Sequence, residues 1–265
     1  MEIISGKSSG FCAGVRYTVN KAEELVKSNK KIYCLGEIVH NEAVIKKLES
    51  LGMTTEKNIK KIPENSKMII RAHGEEKATY EIAKENNIEI FDLTCGNIIA
   101  IRNKVKNEVN KSFIIIIGKK QHPETIGTLS FCGNNSYIIE NEEDIDKAYK
   151  KFLKIENNRV YVISQTTFSN NKFDILSEKI KKTFKNTEII VDKTICDSTE
   201  KRQKEASDIS ERVNKMIIIG GKNSSNTREL YNVAKQNCED TVLIQSEKDL
   251  ENKNYNDNDI IGVMA

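Results

Sequence analysis

From residue 93 the chain reads Leu93-Thr94-Cys95-Gly96-Asn97-Ile98-Ile99-Ala100-Ile101, and after a polar stretch Phe113-Ile114-Ile115-Ile116-Ile117-Gly118-Lys119-Lys120-Gln121-His122-Pro123-Glu124. The apolar run at 113–117 is far too short to span a membrane. Its continuity predicts a strand buried on both faces, as in a parallel sheet. The stretch 98–109 before it has helical character. Cys95 and Gly118 bracket this helix–strand pair at a separation of 23 residues, and His122 lies four residues further on. The same frame recurs twice. Cys12 precedes a helical stretch at 15–27 and a strand ending at Gly36, 24 residues on; Cys196 precedes 199–213 and a strand ending at Gly220, also 24 residues on. His40 and Ser224 then hold the place of His122.

Outward from these three frames, further Ile/Val-rich runs read as strands at 31–35, 67–70, 88–91, 137–139, 160–163, 188–191, 216–219, 241–244 and 260–263. Amphipathic stretches separate them, such as Ala78, Ile82 and Ala83, or Ile175, Leu176, Ile180 and Phe184. The pattern is α/β. Each repeat has a second strand with a polar tip, at Arg71-Ala72-His73-Gly74 and at Ser164-Gln165-Thr166-Thr167, and the third such strand runs into Ala265. Two repeats close with a strand into a cysteine, Cys95 and Cys196. The strand leading into Cys12 is the N-terminus, so it is expected to complete the third repeat. The expected units are 13–95, 96–195 and 196–265 together with 1–12, arranged about a pseudo-threefold axis. Parallel α/β sheets bind ligands beyond the carboxyl ends of their strands, so three sets of loops are expected to converge on one central site.

Cys12, Cys95 and Cys196 each stand where a strand gives way to a helix. A helix N-terminus favours the thiolate, the metal-binding form. Zinc sites commonly use closely spaced pairs such as Cys-x-x-Cys, which this chain lacks; an iron–sulfur cluster accepts ligands from distant segments, and three thiolates would leave one iron open to substrate. The competing reading is a buried small hydrophobe, which suits Cys34, Cys132 and Cys238. All three histidines of the chain, His40, His73 and His122, fall in loops after strands. With Ser224, Ser225 and Asn226 in the third loop they offer a cradle for phosphate groups at helix N-termini; Ser224-Ser225-Asn226 reads equally as a plain helix cap. Glu124 is either a proton-handling carboxyl among anion-binding groups or a first-turn helix acid. Thr166 and Thr167 are placed to bind a substrate hydroxyl or to cap the next helix.

Composition narrows the class. Basic and acidic residues number 42 and 39, for a net charge of +3, too small to suggest a nucleic-acid or polybasic membrane partner by charge alone. Apolar residues make up 38% and charged residues 31%, as in a globular chain. Residues 1–12 contain no apolar signal-peptide core, so a cytoplasmic location with reduced thiols is expected. No Gly-x-Gly-x-x-Gly nicotinamide fingerprint is present.

Taken in order, Gly10-Phe11-Cys12-Ala13-Gly14-Val15, Val39-His40-Asn41, Ala72-His73-Gly74, Thr94-Cys95, His122-Pro123-Glu124 with Gly127-Thr128, Gln165-Thr166-Thr167, Ile195-Cys196 and Lys222-Asn223-Ser224-Ser225-Asn226 resemble the motifs of the IspH/LytB family of 4-hydroxy-3-methylbut-2-enyl diphosphate reductases. The likeness covers essentially the whole chain. It implies a trefoil of three α/β units around one [4Fe-4S] cluster held by Cys12, Cys95 and Cys196. It also implies reductive loss of the allylic hydroxyl of the diphosphate substrate, to give isopentenyl and dimethylallyl diphosphates at the end of the methylerythritol phosphate route. On the matching positions it implies that His40, His73, His122, Ser224, Ser225 and Asn226 hold the diphosphate, that Glu124 feeds protons and that Thr166 orients the hydroxyl. The resemblance further implies a ferredoxin or flavodoxin as the source of electrons. The sequence departs from the family pattern in two places. Gly96 stands where the family usually has proline, which is expected to loosen the helix start beside Cys95. The family continues past Gly262-Val263-Met264-Ala265 with a diphosphate-binding serine and a final helix, so the third unit is expected to lack its last loop and helix. That departure keeps a second reading open, a catalytically inactive cluster-carrying or diphosphate-binding module. Some relatives carry S1 repeats further on, and a nucleic-acid partner is expected only where such an extension follows.

Overall fold

The computed structural model describes residues 1–251 and 255–265. Strands and helices alternate along them: β1 (Glu2–Ser5), α1 (Ala13–Ser28), β2 (Ile32–Leu35), α2 (Glu42–Ser50), β3 (Met53–Glu56), β4 (Lys67–Ile70), α3 (Lys77–Glu85), β5 (Glu89–Asp92), α4 (Gly96–Glu108), β6 (Phe113–Ile117), α5 (Pro123–Leu129), β7 (Ser136–Ile139), α6 (Glu143–Phe152), β8 (Arg159–Ser164), α7 (Asn170–Thr183), β9 (Glu188–Val191), α8 (Asp197–Ser210), β10 (Lys215–Ile219), α9 (Ser225–Asn237), β11 (Thr241–Ile244) and β12 (Ile260–Met264). The strands form three four-stranded sheets, ordered β3-β2-β4-β5, β7-β6-β8-β9 and β11-β10-β12-β1. Every pairing is parallel. The order is the same in all three: the first strand of a repeat lies inside, the second at one edge, the third inside and the fourth at the other edge. In the last sheet the fourth place is filled by β1, with Glu2 opposite Ile260 and Ser5 opposite Val263.

Two compact units contain these sheets. The larger, Ala13–Val39 with Ala43–Thr194, holds the sheets of the first two repeats. The smaller, Met1–Cys12, His40–Glu42 and Ile195–Ala265, holds the third. His40 belongs to the first repeat by sequence order, yet its segment groups with the third sheet.

The apolar runs are buried on both faces, as continuous hydrophobicity requires. Side chains still alternate across each strand. In β2, Ile32 and Cys34 pack with Ala22 and Val26 of α1 and Leu48 of α2. Tyr33 and Leu35 face the other way, onto Met68, Ile70 and Ala83. In the second sheet Ile114 and Ile116 pack against Ile101 and Val105 of α4. In the smaller unit Met216 and Ile218 meet Ala206 and Ile209 of α8 and Leu230 and Ala234 of α9. The opposite face buries Ile217, Ile244 and Ile261 against Leu250 and Tyr255.

One strand, β3, is not legible from its residues. Met53-Thr54-Thr55-Glu56 has a single buried apolar side chain, Met53, because it lies at a sheet edge beside β2. Edge strands need only one backbone partner and can stay polar.

Candidate functional site

The six cysteines divide by burial as their sequence register predicts. Cys34, Cys132 and Cys238 are buried, and Cys12, Cys95 and Cys196 are partly exposed. Burial pushes the thiols of Cys34 and Cys132 up to about 12, which keeps them protonated and inert. Cys95 and Cys196 are the N-cap residues of α4 and α8, and neither thiol caps its own helix. α4 begins at Gly96, and the Ile98 and Ile99 amides donate to the Cys95 carbonyl at 2.9 and 3.1 Å. Cys95 is extended (φ −56°, ψ 134°), the usual entry into a helix, so a regular first turn forms without proline.

In the larger unit, the loops after β4, β6 and β8 bring four of the expected residues into one neighbourhood. The His73 and His122 rings meet edge to face with centroids 5.5 Å apart. His122 is the N-cap of α5, its Nδ1 accepting from the Glu124 amide at 3.3 Å, so in the neutral ring the proton sits on Nε2. Pro123 at the first helical position suits the turn, since it lacks only an amide proton that the helix cannot use. Cys95 joins this neighbourhood through its amide, which donates to the Ala72 carbonyl at 2.9 Å, one residue before His73.

Glu124 lies in the first turn of α5 and is only 3% exposed. Thr166 answers it twice: its amide donates to Oε1 at 2.6 Å and its hydroxyl to Oε2 at 2.8 Å. Burial raises the Glu124 carboxyl to about 7, against the two Thr166 bonds and the charge of Arg102, which pull it down. Near neutrality such a carboxyl can both hold and release a proton. Thr166 therefore does not cap the following helix. That task falls to Ser169, whose hydroxyl accepts from the Lys172 amide at 3.3 Å.

In the smaller unit, Ser224 caps α9, accepting from the Thr227 amide at 3.3 Å, so the plain-cap reading of that serine is correct as far as it goes. Ser225 is buried in the first turn and Asn226 follows it half-buried. The backbone of Gly221, at the head of this loop, packs against the His40 carbonyl.

Several supporting residues escape sequence reasoning. Gln165 accepts from the Lys119 amide at 3.0 Å and donates to the Thr167 hydroxyl at 2.9 Å, joining the loops after β6 and β8. Within α8, Glu205 accepts from the Lys7 and Ser8 amides at 2.6 and 2.8 Å, and Arg202 donates to the Ser8 carbonyl at 2.8 Å. Arg202 also reaches the Gly10 carbonyl. The helix that starts at Cys196 thus holds the segment that leads into Cys12. Arg202 and Glu205 stand three positions apart, on one helical face, but nothing local marks them as loop holders. No helix of the described residues is long and apolar enough to cross a membrane.

A family model described as "LytB protein" matches residues 3–265. The 4-hydroxy-3-methylbut-2-enyl diphosphate reductase of Thermoanaerobacter sp. (strain X514) is 36% identical, across all of this chain and 91% of its own length. The solved E-1-hydroxy-2-methyl-but-2-enyl-4-diphosphate reductase from Plasmodium falciparum is similar with a TM-score of 0.90 at 29% identity, covering 99% of this chain and 82% of that one. A second solved structure, of an (E)-4-hydroxy-3-methyl-but-2-enyl diphosphate reductase described as the terminal enzyme of the non-mevalonate pathway, has a TM-score of 0.70 at 33% identity, covering 100% and 92%.

Proposed function

The chain belongs to the LytB family, and on that premise we propose how its residues carry out the family's reaction. The reaction is the reductive dehydroxylation of 4-hydroxy-3-methylbut-2-enyl diphosphate to isopentenyl and dimethylallyl diphosphates, the terminal step of the non-mevalonate route. The allylic C–O bond breaks and a C–H bond forms. Two electrons and two protons enter; one proton leaves with the hydroxyl as water and the other ends on the allylic carbon.

Members of this family bind an iron–sulfur cluster. Cys12, Cys95 and Cys196 fit one [4Fe-4S] cluster per chain: these three thiols are partly exposed at helix starts, while the other three are buried in cores. When bound, such a cluster supplies the electrons one at a time and an iron able to act as a Lewis acid. A small carrier of the ferredoxin or flavodoxin class, in the cytoplasm, recharges it.

The remaining work belongs to side chains. His40, His73, His122, Ser224, Ser225 and Asn226 take the diphosphate through ring N–H, hydroxyl and amide donors. Thr166 turns its hydroxyl toward the substrate alcohol while its amide keeps Glu124 oriented. Glu124 delivers the proton that leaves with the hydroxyl.

One observation carries the reading: a carboxyl almost wholly buried, doubly bonded to Thr166 and raised to about 7. A decayed site has no reason to keep a carboxyl in so costly a place, so the inactive-module reading is not favoured. Anaerobic incubation with reduced viologen and substrate, followed by chromatography of the dephosphorylated products, tests it. Formation of the two isomeric alkenols is expected. Iron-loaded protein that binds the diphosphate without consuming reductant would overturn the proposal.

A further inference from the structure

Arg102, on α4, is 6% exposed, a rare depth for arginine. Nη2 donates to the Glu75 carbonyl at 2.9 Å and Nη1 approaches the Tyr80 hydroxyl at 3.4 Å. The guanidinium lies 4.8 Å from the centre of the Phe131 ring, a cation–π distance. Two glycines make room for it. A Cβ on Gly127 would come within 2.8 Å of Nη2, and one on Gly74 would overlap the guanidinium outright. Gly74 follows His73, and Gly127 lies one turn beyond Glu124 on α5. The guanidinium is thus wedged between the histidine loop and the carboxylate helix.

The wedge is braced from behind. Glu75 pairs with Arg71 at 2.7 Å. The Tyr80 hydroxyl donates to Asp92 at 3.0 Å, and the other Asp92 oxygen accepts from the Thr94 amide at 2.9 Å, beside Cys95. Apolar side chains would fill this space at lower desolvation cost, and buried ion pairs seldom add stability over such a replacement. A charge kept here therefore points to a use for it.

We propose that Arg102 is a positioning residue for the reduction: its guanidinium, keyed against Gly74 and Gly127, sets the spacing between His73 and Glu124 and places a fixed positive charge behind the Glu124 carboxyl. The inference rests on the reading of Glu124 as the proton donor. The groups shown to meet Glu124 are Arg102 from α4, the neutral Thr166 from the β8–α7 connection and the His122 ring on its own helix; beyond them, His73 packs on His122, and Glu75, paired with Arg71, holds Arg102 through its carbonyl. Of these, Arg102 is the charged group that acts on the carboxyl, and it lowers its proton affinity against the rise from burial.

Three variants of the cluster-loaded enzyme separate charge from position. Arg102→Gln removes the charge; Arg102→Lys keeps it without the fork; Gly127→Ala keeps the arginine and displaces it. The Arg102→Gln variant should move the alkaline limb of the kcat profile upward by about one pH unit, the lower end for loss of an opposite charge nearby. The Arg102→Lys and Gly127→Ala variants should keep the limb in place while kcat falls by about tenfold, within what misplacement of a catalytic group costs. The infrared band of the Glu124 carboxyl, identified by its loss in Glu124→Gln, should titrate upward by the same amount in Arg102→Gln. Unmoved limb and band in Arg102→Gln would overturn the proposal, as would parental kcat in Gly127→Ala. If Arg102→Gln does not fold, the other two variants carry the test through kcat and the band. An active Glu124→Gln enzyme would instead refute the proton-donor reading, and the band would still report whether Arg102 acts on the carboxyl.

Discussion

Replacing Glu124 by glutamine separates proton delivery from everything else this carboxyl does. Oε1 of the parent accepts from the Thr166 amide at 2.6 Å, and Oε2 lies 2.8 Å from the Thr166 hydroxyl. In the variant the amide oxygen can accept the first bond, and the amide nitrogen can donate to the hydroxyl once that hydroxyl turns round. A protonated carboxyl makes the same pair of bonds, so Glu124→Gln mimics the acid form permanently. Turnover should drop by roughly 10²–10⁴-fold, the usual size of lost acid–base catalysis, with diphosphate affinity retained.

Stability gives an independent readout with a definite sign. The folded carboxyl titrates at about 7 and its ordinary value is 4.5. Between those values the native state still holds a proton that the unfolded chain has released, so parental stability falls as pH rises through this window and levels off above it. At about 1.4 kcal/mol per pH unit, the full loss is about 3 kcal/mol, of which roughly 2–3 kcal/mol falls between pH 5 and pH 8. Glutamine has no proton to lose. The stability difference between variant and parent should therefore shift toward the variant by that amount from pH 5 to pH 8. Urea unfolding of both proteins at matched iron content, under anaerobic conditions, measures it. A difference that does not change with pH would refute the buried, proton-holding carboxyl; parental turnover in the variant would move the proton role elsewhere.

Replacing Cys12, Cys95 or Cys196 with serine should each strip most of the iron, since serine is a poor substitute for thiolate; replacing the buried Cys34, Cys132 or Cys238 with alanine should leave iron content unchanged in the same colorimetric assay. Gly96→Pro should stabilise the chain by about 0.4–1 kcal/mol in unfolding experiments, because Cys95 is already extended and a Cβ on Gly96 would meet nothing within 4 Å; proline suits the first helical position. Ser224→Ala should cost about 1 kcal/mol of stability from the lost cap on α9 as well as weakening diphosphate binding, and calorimetry with the diphosphate alone separates the two effects. Thr166→Val, which keeps the amide bond but removes the hydroxyl, should shift the Glu124 titration upward, because that hydroxyl lowers its proton affinity; an unchanged pH profile would disprove this.

Residues near in sequence carried most of the fold. A continuous run such as Phe113–Ile117 has to be buried on both faces, and the cysteine-to-glycine spacing recurs because each repeat uses one helix and one strand of the same length. Those constraints are local, so strand, helix and repeat were all readable, as was the division of the cysteines into buried and accessible sets. The edge strand Met53–Glu56 was not, since a polar segment with one backbone partner carries no hydrophobic signature. Tertiary structure alone decided which partners each polar residue meets. Glu124 and Thr166 lie 42 residues apart, and each read two ways in sequence, Glu124 as a proton-handling carboxyl or a helix acid and Thr166 as a hydroxyl binder or a cap; that they form one buried, hydrogen-bonded pair is visible only in the fold. Arg102, Arg202 and Glu205 read as ordinary helix charges and turn out to anchor distant loops. A side chain's periodicity is set by its neighbours along the chain, whereas its protonation and its hydrogen-bond partners are set by whatever folds against it.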